Sequence, residues 1–157
     1  MSRVLFFGFV LLALTIDQIT KGMALAWLTP FQPVPVLPGF NLTLGFNTGA
    51  SFGMLSGIMA NTPLLMAALT GVLTLGLAWM GLRAKLPLEA AGFALITGGS
   101  AGNILDRLRQ GAVTDFLDFY WRDWHWPTFN GADIAIFLGV VAILFAGFRG
   151  SKEAKNA

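Results

Sequence analysis

The chain lacks cysteine, has a single histidine and a single tyrosine, and only 11% of its 157 residues are charged. Without cysteine there is no disulfide, thiolate metal site or thiol nucleophile, and one histidine is too few for a zinc site. An ordinary soluble domain carries about a quarter charged residues, so the composition excludes that class. A net charge of +2 is too small to indicate nucleic-acid binding. We therefore expect no metal site, no cofactor and no nucleic-acid partner.

Apolar residues are abundant instead: 55% of the chain is hydrophobic and the mean hydropathy is +0.70. A helix needs about 20 mostly apolar residues to cross a bilayer. Four stretches approach that length, at about 4–27, 64–82, 88–105 and 132–148. Pro63 and Pro87 open the second and third stretches, and proline suits the first turn of a helix. The sequence predicts an all-α membrane protein of one domain, residues 1–157, with four transmembrane helices.

The basic residues predict the orientation of these helices. The connecting segment 28–61 contains no Lys or Arg, whereas Arg3, Arg83 and Lys85 lie on the other side together with the C-terminal basic residues. The positive-inside rule places both termini in the cytoplasm and the loops 28–61 and 107–131 outside. The first stretch also resembles a cleavable signal peptide. Because it carries Asp17 and Lys21 beyond its apolar core, we expect it to be retained.

The two outer loops have patterns of their own. Residues 40–46 alternate apolar with small or polar side chains, which is typical of a short half-buried strand. Residues 120–126 place four aromatic side chains among charges, as expected for a segment at the lipid headgroups. We predict a small extracytoplasmic cap that contains β-structure and an interfacial segment.

Several polar residues lie within the predicted helices, where a charge costs about 3 kcal/mol at the bilayer centre. Asp17 and Lys21 are four apart on one helix face, which favours an internal ion pair as much as a catalytic role. Asn103 and Arg107 have the same spacing and favour polar contacts between helices, with Arg107 available to Asp17 or to a substrate carbonyl. Asp106 is expected to point elsewhere.

Three glycines, Gly98, Gly99 and Gly102, narrow the third predicted helix. The spacing of Gly98 and Gly102 permits close approach of two helix backbones in a membrane. We expect tight helix packing here and assign no further role to the glycines.

Asp115 and Asp133 are predicted to lie at one depth near the outer surface. Asp133 could simply cap its helix, and Asp115 could be a solvated loop carboxylate. If the two converge they share one proton and provide a general acid and a general base. The spacing leaves Asp118 and Asp123 open as rival partners.

Other chemistries have less support. Ser51 and Ser100 have no spacing that ties them to Lys21 as a base. His125 lies among tryptophans and is expected to be interfacial. A small proton-coupled transporter is the alternative function, but the charges cluster towards one face and no inverted repeat is visible.

Five sequence motifs, in order along the chain, resemble those of bacterial lipoprotein signal peptidase, also called signal peptidase II. They are Asp17-Gln18-Ile19-Thr20-Lys21, Asn47-Thr48-Gly49-Ala50-Ser51-Phe52-Gly53, the segment 98–107 (GGSAGNILDR), Val113-Thr114-Asp115-Phe116 and Phe129-Asn130-Gly131-Ala132-Asp133. The match is specific because five motifs agree in order. Ser51, Ser100 and Ile134 depart from residues frequent in that family.

The resemblance implies an aspartic endopeptidase of the bacterial inner membrane. Such an enzyme cuts the signal peptide from diacylglyceryl-modified prolipoproteins, on the N-terminal side of the lipidated cysteine, and is inhibited by the cyclic peptide globomycin. By motif position Asp115 and Asp133 would be catalytic. The positions that would support them or bind substrate are Asp17, Lys21, Asn47, Gly49, Asn103, Arg107, Asn130 and Ala132. We also expect a monomer in membrane lipid, with residues 40–57 as a lid over the substrate.

Overall fold

The computed structural model describes residues 1–49 and 62–155, and side chains as far as residue 149. Its described helices are α1 (Arg3–Trp27), α2 (Pro63–Arg83), α3 (Pro87–Gln110) and α4 (Gly131–Lys155). Its described strands are β1 (Val34–Leu37), β2 (Phe40–Asn47), β3 (Val113–Trp121) and β4 (Trp124–His125). Ser51 and residues 50–57 of the expected lid lie outside the described residues.

The four predicted helical stretches all coincide with observed helices. Ser2 caps α1 by accepting a hydrogen bond from the backbone N–H of Leu5 at 3.3 Å. Pro63 and Pro87 stand in the first turns of α2 and α3. The helix α3 runs to Gln110, further than predicted, and ends where Gly111 adopts a left-handed φ of 77°. Asp106 and Arg107 therefore lie inside a helix.

Three of the described helices are long and apolar enough to cross a membrane: α1, α2 and residues 131–149 of α4. Large apolar side chains such as Leu11, Val72 and Phe137 are exposed on them, as expected for surfaces that face lipid. The helix α3 packs against α1, α2 and α4 and carries charges near its C-terminal end. The fold is that of a mostly helical membrane protein with a small antiparallel sheet.

Close helix packing around α3 agrees with the prediction made from its glycines. A Cβ atom at Gly98 would lie 2.5 Å from the carbonyl oxygen of Val10 in α1. A Cβ atom at Gly99 would lie 2.5 Å from the carbonyl oxygen of Ala132 in α4. One at Gly102 would overlap the carboxylate of Asp17. Glycine is therefore what lets the backbones of α1 and α4 approach α3 from two sides.

The strands form one antiparallel sheet in the order β1-β2-β3-β4. The strand β2 confirms the prediction for residues 40–46, whereas β3 lies in a segment predicted only as loop. The pairing of β2 with β3 shifts between Leu42 and Gly45, and Gly45 is opposite Asp115. Leu44 and Phe116 bury their side chains against Ala24 near the end of α1. This apolar contact fixes the sheet on one end of the helical bundle.

The predicted aromatic segment forms the hairpin of β3 and β4. Arg122 occupies its turn with a φ of 55°, a conformation that non-glycine residues adopt rarely. Trp121 and Trp124 are largely exposed beside this turn.

Candidate active site

The site is built around Asn130, the residue that precedes α4. The Asp133 backbone N–H donates to Asn130 Oδ1 at 3.1 Å, and the Asn130 backbone N–H donates to Asp133 Oδ2 at 3.1 Å. This reciprocal pair is a capping box in which Asn130 is the cap. The sequence alternative in which Asp133 itself caps the helix is therefore wrong. Asp133 lies one residue beyond Ala132, in the first turn, with a side chain that is only partly exposed.

Asp115 reaches the same place from the sheet. The backbone N–H groups of Phe116 and Leu117 both donate to the carbonyl of Phe129, at 3.0 and 2.9 Å. This contact carries Asn130 to Asp115, and Asn130 Nδ2 donates to Asp115 Oδ1 at 2.7 Å. Asp115 is only 3% exposed, so the alternative of a solvated loop carboxylate is wrong.

Asp115 and Asp133 thus share Asn130 as a hydrogen-bond partner, and both line one cavity of about 910 Å³. Burial raises the pKa of Asp115 to about 7, and the negative charge of Asp133 acts in the same direction. Hydrogen bonds from Asn130 and from Asn47, whose Nδ2 lies 3.2 Å from Asp115 Oδ2, oppose that rise. The Asp115 carboxyl can therefore gain and lose a proton near neutral pH.

The two rival aspartates belong elsewhere. Asp118 accepts hydrogen bonds from Thr43 Oγ1 at 2.8 Å and from Asn41 Nδ2 at 3.3 Å. The Nδ1 of His125 lies 2.7 Å from its other oxygen. Burial alone would raise the pKa of Asp118, but these hydrogen bonds outweigh burial and lower it below the ordinary value. Asp123 is exposed in the hairpin turn, and neither carboxylate is among the described residues that line the cavity.

A buried polar chain connects Asp133 to α1. Lys21 Nζ lies 2.9 Å from Asp17 Oδ2, which confirms the ion pair predicted from their spacing. The same ammonium donates to Asn103 Oδ1 at 2.8 Å, and Asn103 Nδ2 donates to Asp133 Oδ1 at 3.1 Å. Asp17 also accepts the backbone N–H of Ala132 at 2.8 Å. The start of α4 is therefore fixed to α1 and α3 by hydrogen bonds.

Arg107 does not pair with Asp17, the first of its two predicted partners. Its Nη2 donates to the carbonyl of Gly49 at 3.0 Å, and its Nη1 to the carbonyl of Asn103 at 3.4 Å, rather than to Asp17. The Gly49 N–H in turn donates to Asn47 Oδ1 at 3.0 Å. Arg107 and the segment that follows β2 together form one polar wall of the cavity.

Sequence reasoning missed Asp106, which was expected to point away from these residues. Asp106 Oδ2 lies 3.0 Å from Lys21 Nζ, and Asp106 Oδ1 accepts from Gln18 Nε2 at 3.1 Å. A signal was present, because Asp106 is three residues after Asn103 and so shares its helix face.

The other walls of the cavity are mostly apolar. They include Phe31, Phe46, Trp126 and the exposed side chains Ile134, Phe137 and Val140 of α4. An apolar cavity with a few convergent polar groups is the usual form of a binding site for an organic ligand.

Fold and site together define a class: a helical membrane protein with two carboxylates at the polar end of an apolar cavity. Residues 9–149 match the family model described as Signal peptidase (SPase) II. The chain belongs to the signal peptidase II family and is a membrane protease. The family resemblance found from the five motifs is confirmed.

Individual relatives agree with this assignment. A lipoprotein signal peptidase of Yersinia pseudotuberculosis is 42% identical over 144 residues, which cover 90% of this chain and 85% of the relative. Those of Hydrogenovibrio crunogenus and Actinobacillus succinogenes are 40% and 37% identical, over 88% and 92% of this chain and 81% and 90% of their own lengths. A solved bacterial membrane enzyme, 24% identical, has the same fold with a TM-score of 0.83 over 96% of this chain and 92% of its own.

Proposed function

We propose that this protease removes the signal peptide from prolipoproteins and that Asp115 and Asp133 are its catalytic pair. The observation that carries the proposal is that both carboxylates line one cavity and accept hydrogen bonds from the same residue, Asn130. Asp133 accepts from the Asn130 backbone N–H, and Asp115 accepts from the Asn130 side-chain amide. Two carboxylates that share a proton supply a general acid and a general base, which is what hydrolysis of a peptide bond requires.

The shared proton lies on Asp115 below about pH 7, in line with the pKa of that carboxyl. Asp133, which accepts N–H groups from Asn130 and Asn103, is the ionised partner. Asp133 takes a proton from a water molecule as the water oxygen attacks the scissile carbonyl carbon. The carbon–nitrogen bond then breaks, and a proton from the pair goes to the leaving amine.

The cavity suits a lipidated substrate. Its exposed apolar wall on α4, with Ile134, Phe137 and Val140, offers a surface to an apolar signal peptide or to acyl chains that enter from the membrane. Arg107 and the Gly49 segment offer hydrogen bonds to an extended backbone. We infer that cleavage occurs on the N-terminal side of the diacylglyceryl cysteine, and that globomycin binds in the same cavity.

We infer the orientation in the membrane from the distribution of Lys and Arg between the connecting segments. The single domain, residues 1–157, would span the bacterial inner membrane with four helices as a monomer, with both termini in the cytoplasm and the sheet outside. The helix α3, though more polar, has α1, α2 and α4 packed against it. The exposed Trp121 and Trp124 suit the headgroup region.

The test is a gel-shift cleavage assay on a diacylglyceryl-modified prolipoprotein in detergent. We expect wild type to cleave it and both Asp115→Asn and Asp133→Asn to lose cleavage by at least about 10³-fold. The matched control is Asp123→Asn, which makes the same chemical change at an exposed turn and should cleave normally.

Inert but folded wild-type protein would contradict the proposed substrate, and activity in a folded Asp115→Asn or Asp133→Asn variant would contradict the catalytic pair. The transporter alternative has no support in the family match, which is to a peptidase.

A further inference from the structure

We propose that Asp106 is a positioning residue that holds both aspartates of the pair from a single carboxylate. This inference rests on the proposed function. Asp106 lies in α3, is 6% exposed and does not line the large cavity among its described residues, so it acts through its neighbours.

The first connection runs to Asp115 through the backbone. Asp106 Oδ2 accepts the N–H of Thr114 at 3.0 Å, and Thr114 immediately precedes Asp115 in β3. Gln110 Nε2 donates to Thr114 Oγ1 at 2.6 Å, so the residue is held by side chain and backbone alike. The Thr114 N–H belongs to the peptide plane that joins Val113 to Thr114, so this bond holds the strand one peptide before Asp115. Holding the strand at Thr114 limits where the next residue, Asp115, can place its side chain.

The second connection runs to Asp133 through two side chains. The same oxygen, Asp106 Oδ2, lies 3.0 Å from Lys21 Nζ, and Lys21 Nζ donates to Asn103 Oδ1 at 2.8 Å. Accepting that bond orients the Asn103 amide so that its Nδ2 faces Asp133 Oδ1, at 3.1 Å. Asp106 thus holds the Lys21 ammonium in position to donate to Asn103.

Charge balance explains why a carboxylate stands at residue 106. Lys21 is 2% exposed and lies between two carboxylates, those of Asp17 and Asp106. A buried ammonium that loses one of its partners is stabilised less and interacts more strongly with the other charges nearby. The positive charge of Lys21 already acts to lower the pKa of Asp115.

The test compares Asp106→Asn with wild type and with the exposed control Asp123→Asn in the same cleavage assay. The amide keeps the size of the side chain but removes its charge. We expect kcat to fall about 10- to 100-fold with KM within about twofold, as for loss of a residue that orients catalytic groups. We also expect the alkaline limb of the kcat profile to move to lower pH, which loss of packing alone does not cause. The control should match wild type in both.

A folded Asp106→Asn variant with wild-type kcat and an unchanged profile would overturn the proposal. If the variant does not fold, amide hydrogen exchange at Thr114 in the wild-type protein tests the proposal instead. The Thr114 amide is expected to be strongly protected, and exchange as fast as in the hairpin turn would overturn the proposal. Failure of wild type to cleave, or cleavage by Asp115→Asn, would instead remove the proposed function, and the Thr114 exchange rate would still report on the contact with Asp106.

Discussion

Asn130 and Asp133 exchange two hydrogen bonds at the start of α4, each side chain accepting the backbone N–H of the other residue at 3.1 Å. The same Asn130 donates from its amide nitrogen to Asp115. One side chain thus begins the helix and binds the second carboxylate of the proposed pair. Stability and activity should therefore depend on Asn130 together.

Asn130→Ala removes both the cap and the contact with Asp115. We expect it to lower the free energy of unfolding by about 1–2 kcal/mol, the usual cost of a lost cap, and to lower cleavage by at least about 10²-fold. Tryptophan fluorescence during thermal unfolding and the gel-shift assay measure the two effects. Ser2→Ala is the control, because it removes the cap of α1 far from the site. It should lower stability and leave cleavage activity unchanged. Equal losses of activity in the two variants would contradict this reading.

Cleavage should fall as pH rises through about 7. The pKa of Asp115, raised to about 7 by burial and by Asp133, keeps that carboxyl protonated at lower pH. Above this value both carboxylates are ionised and the pair has no acid to give.

Asn47→Ala removes a hydrogen bond that lowers the pKa of Asp115, so the alkaline limb should move to higher pH. The measurement is kcat as a function of pH for both proteins. A shift to lower pH, or a wild-type rate that is flat from pH 6 to 9, would disagree with the assignment of the proton to Asp115.

Gly98→Ala should destabilise the helical bundle by about 1–3 kcal/mol, the usual cost of overpacking. The added Cβ would press on the Val10 carbonyl and on Ala13 of α1. Gly76→Ala is the matched control in α2, where the new Cβ meets nothing within 4 Å. That change should be neutral or slightly stabilising, since alanine is the better helix former. Thermal unfolding of the two variants in the same detergent makes the comparison, and equal midpoints would show that α1 can move away from Gly98.

Asp118→Asn should lower stability at neutral pH by about 1–3 kcal/mol, as for loss of hydrogen bonds to a buried charged group. The pKa of Asp118 is lowered in the folded protein, so its contribution is present above the unfolded value and is lost as pH falls through the folded value. The deficit of the variant should therefore shrink below about pH 4. Unfolding midpoints of wild type, Asp118→Asn and exposed Asp123→Asn from pH 3 to pH 8 test this. A deficit that does not change with pH would exclude the ionised carboxylate as its cause.

Local patterns predicted much of this fold. Apolar runs predicted the four helical stretches, and three of the described helices are long and apolar enough to cross a membrane. Alternation of apolar and polar side chains predicted β2, although burial along the strand does not alternate strictly. Its buried residues are Asn41 and Leu44, and the pairing with β3 shifts between Leu42 and Gly45. The strand β3 was not predicted, because it is buried on both faces over residues 113–116. Such a strand shows no alternation of apolar and polar side chains.

The motifs named the candidate site residues, but nothing in the sequence showed which of them lie close together. The pairing of Phe129 with Leu117, which brings Asp133 to Asp115, depends on tertiary contacts that no local pattern contains. For the same reason the pairing of Arg107 with Asp17, one of its two predicted partners, was wrong. The spacing shows which face of a helix the guanidinium occupies, but Gly49 reaches it from a distant part of the chain.

The order of the elements along the chain has a consequence for biosynthesis. Asn47 belongs to β2, Asp115 to β3 and Asp133 to α4, which follows both strands along the chain. A nascent chain that ends before residue 130 contains the residues of β2 and β3 but lacks both Asp133, one member of the proposed pair, and the Asn130 cap that binds it. If Asp115 and Asp133 are the catalytic pair, as proposed, proteolysis can begin only after α4 has been synthesised, and a chain without α4 cannot cleave a signal peptide.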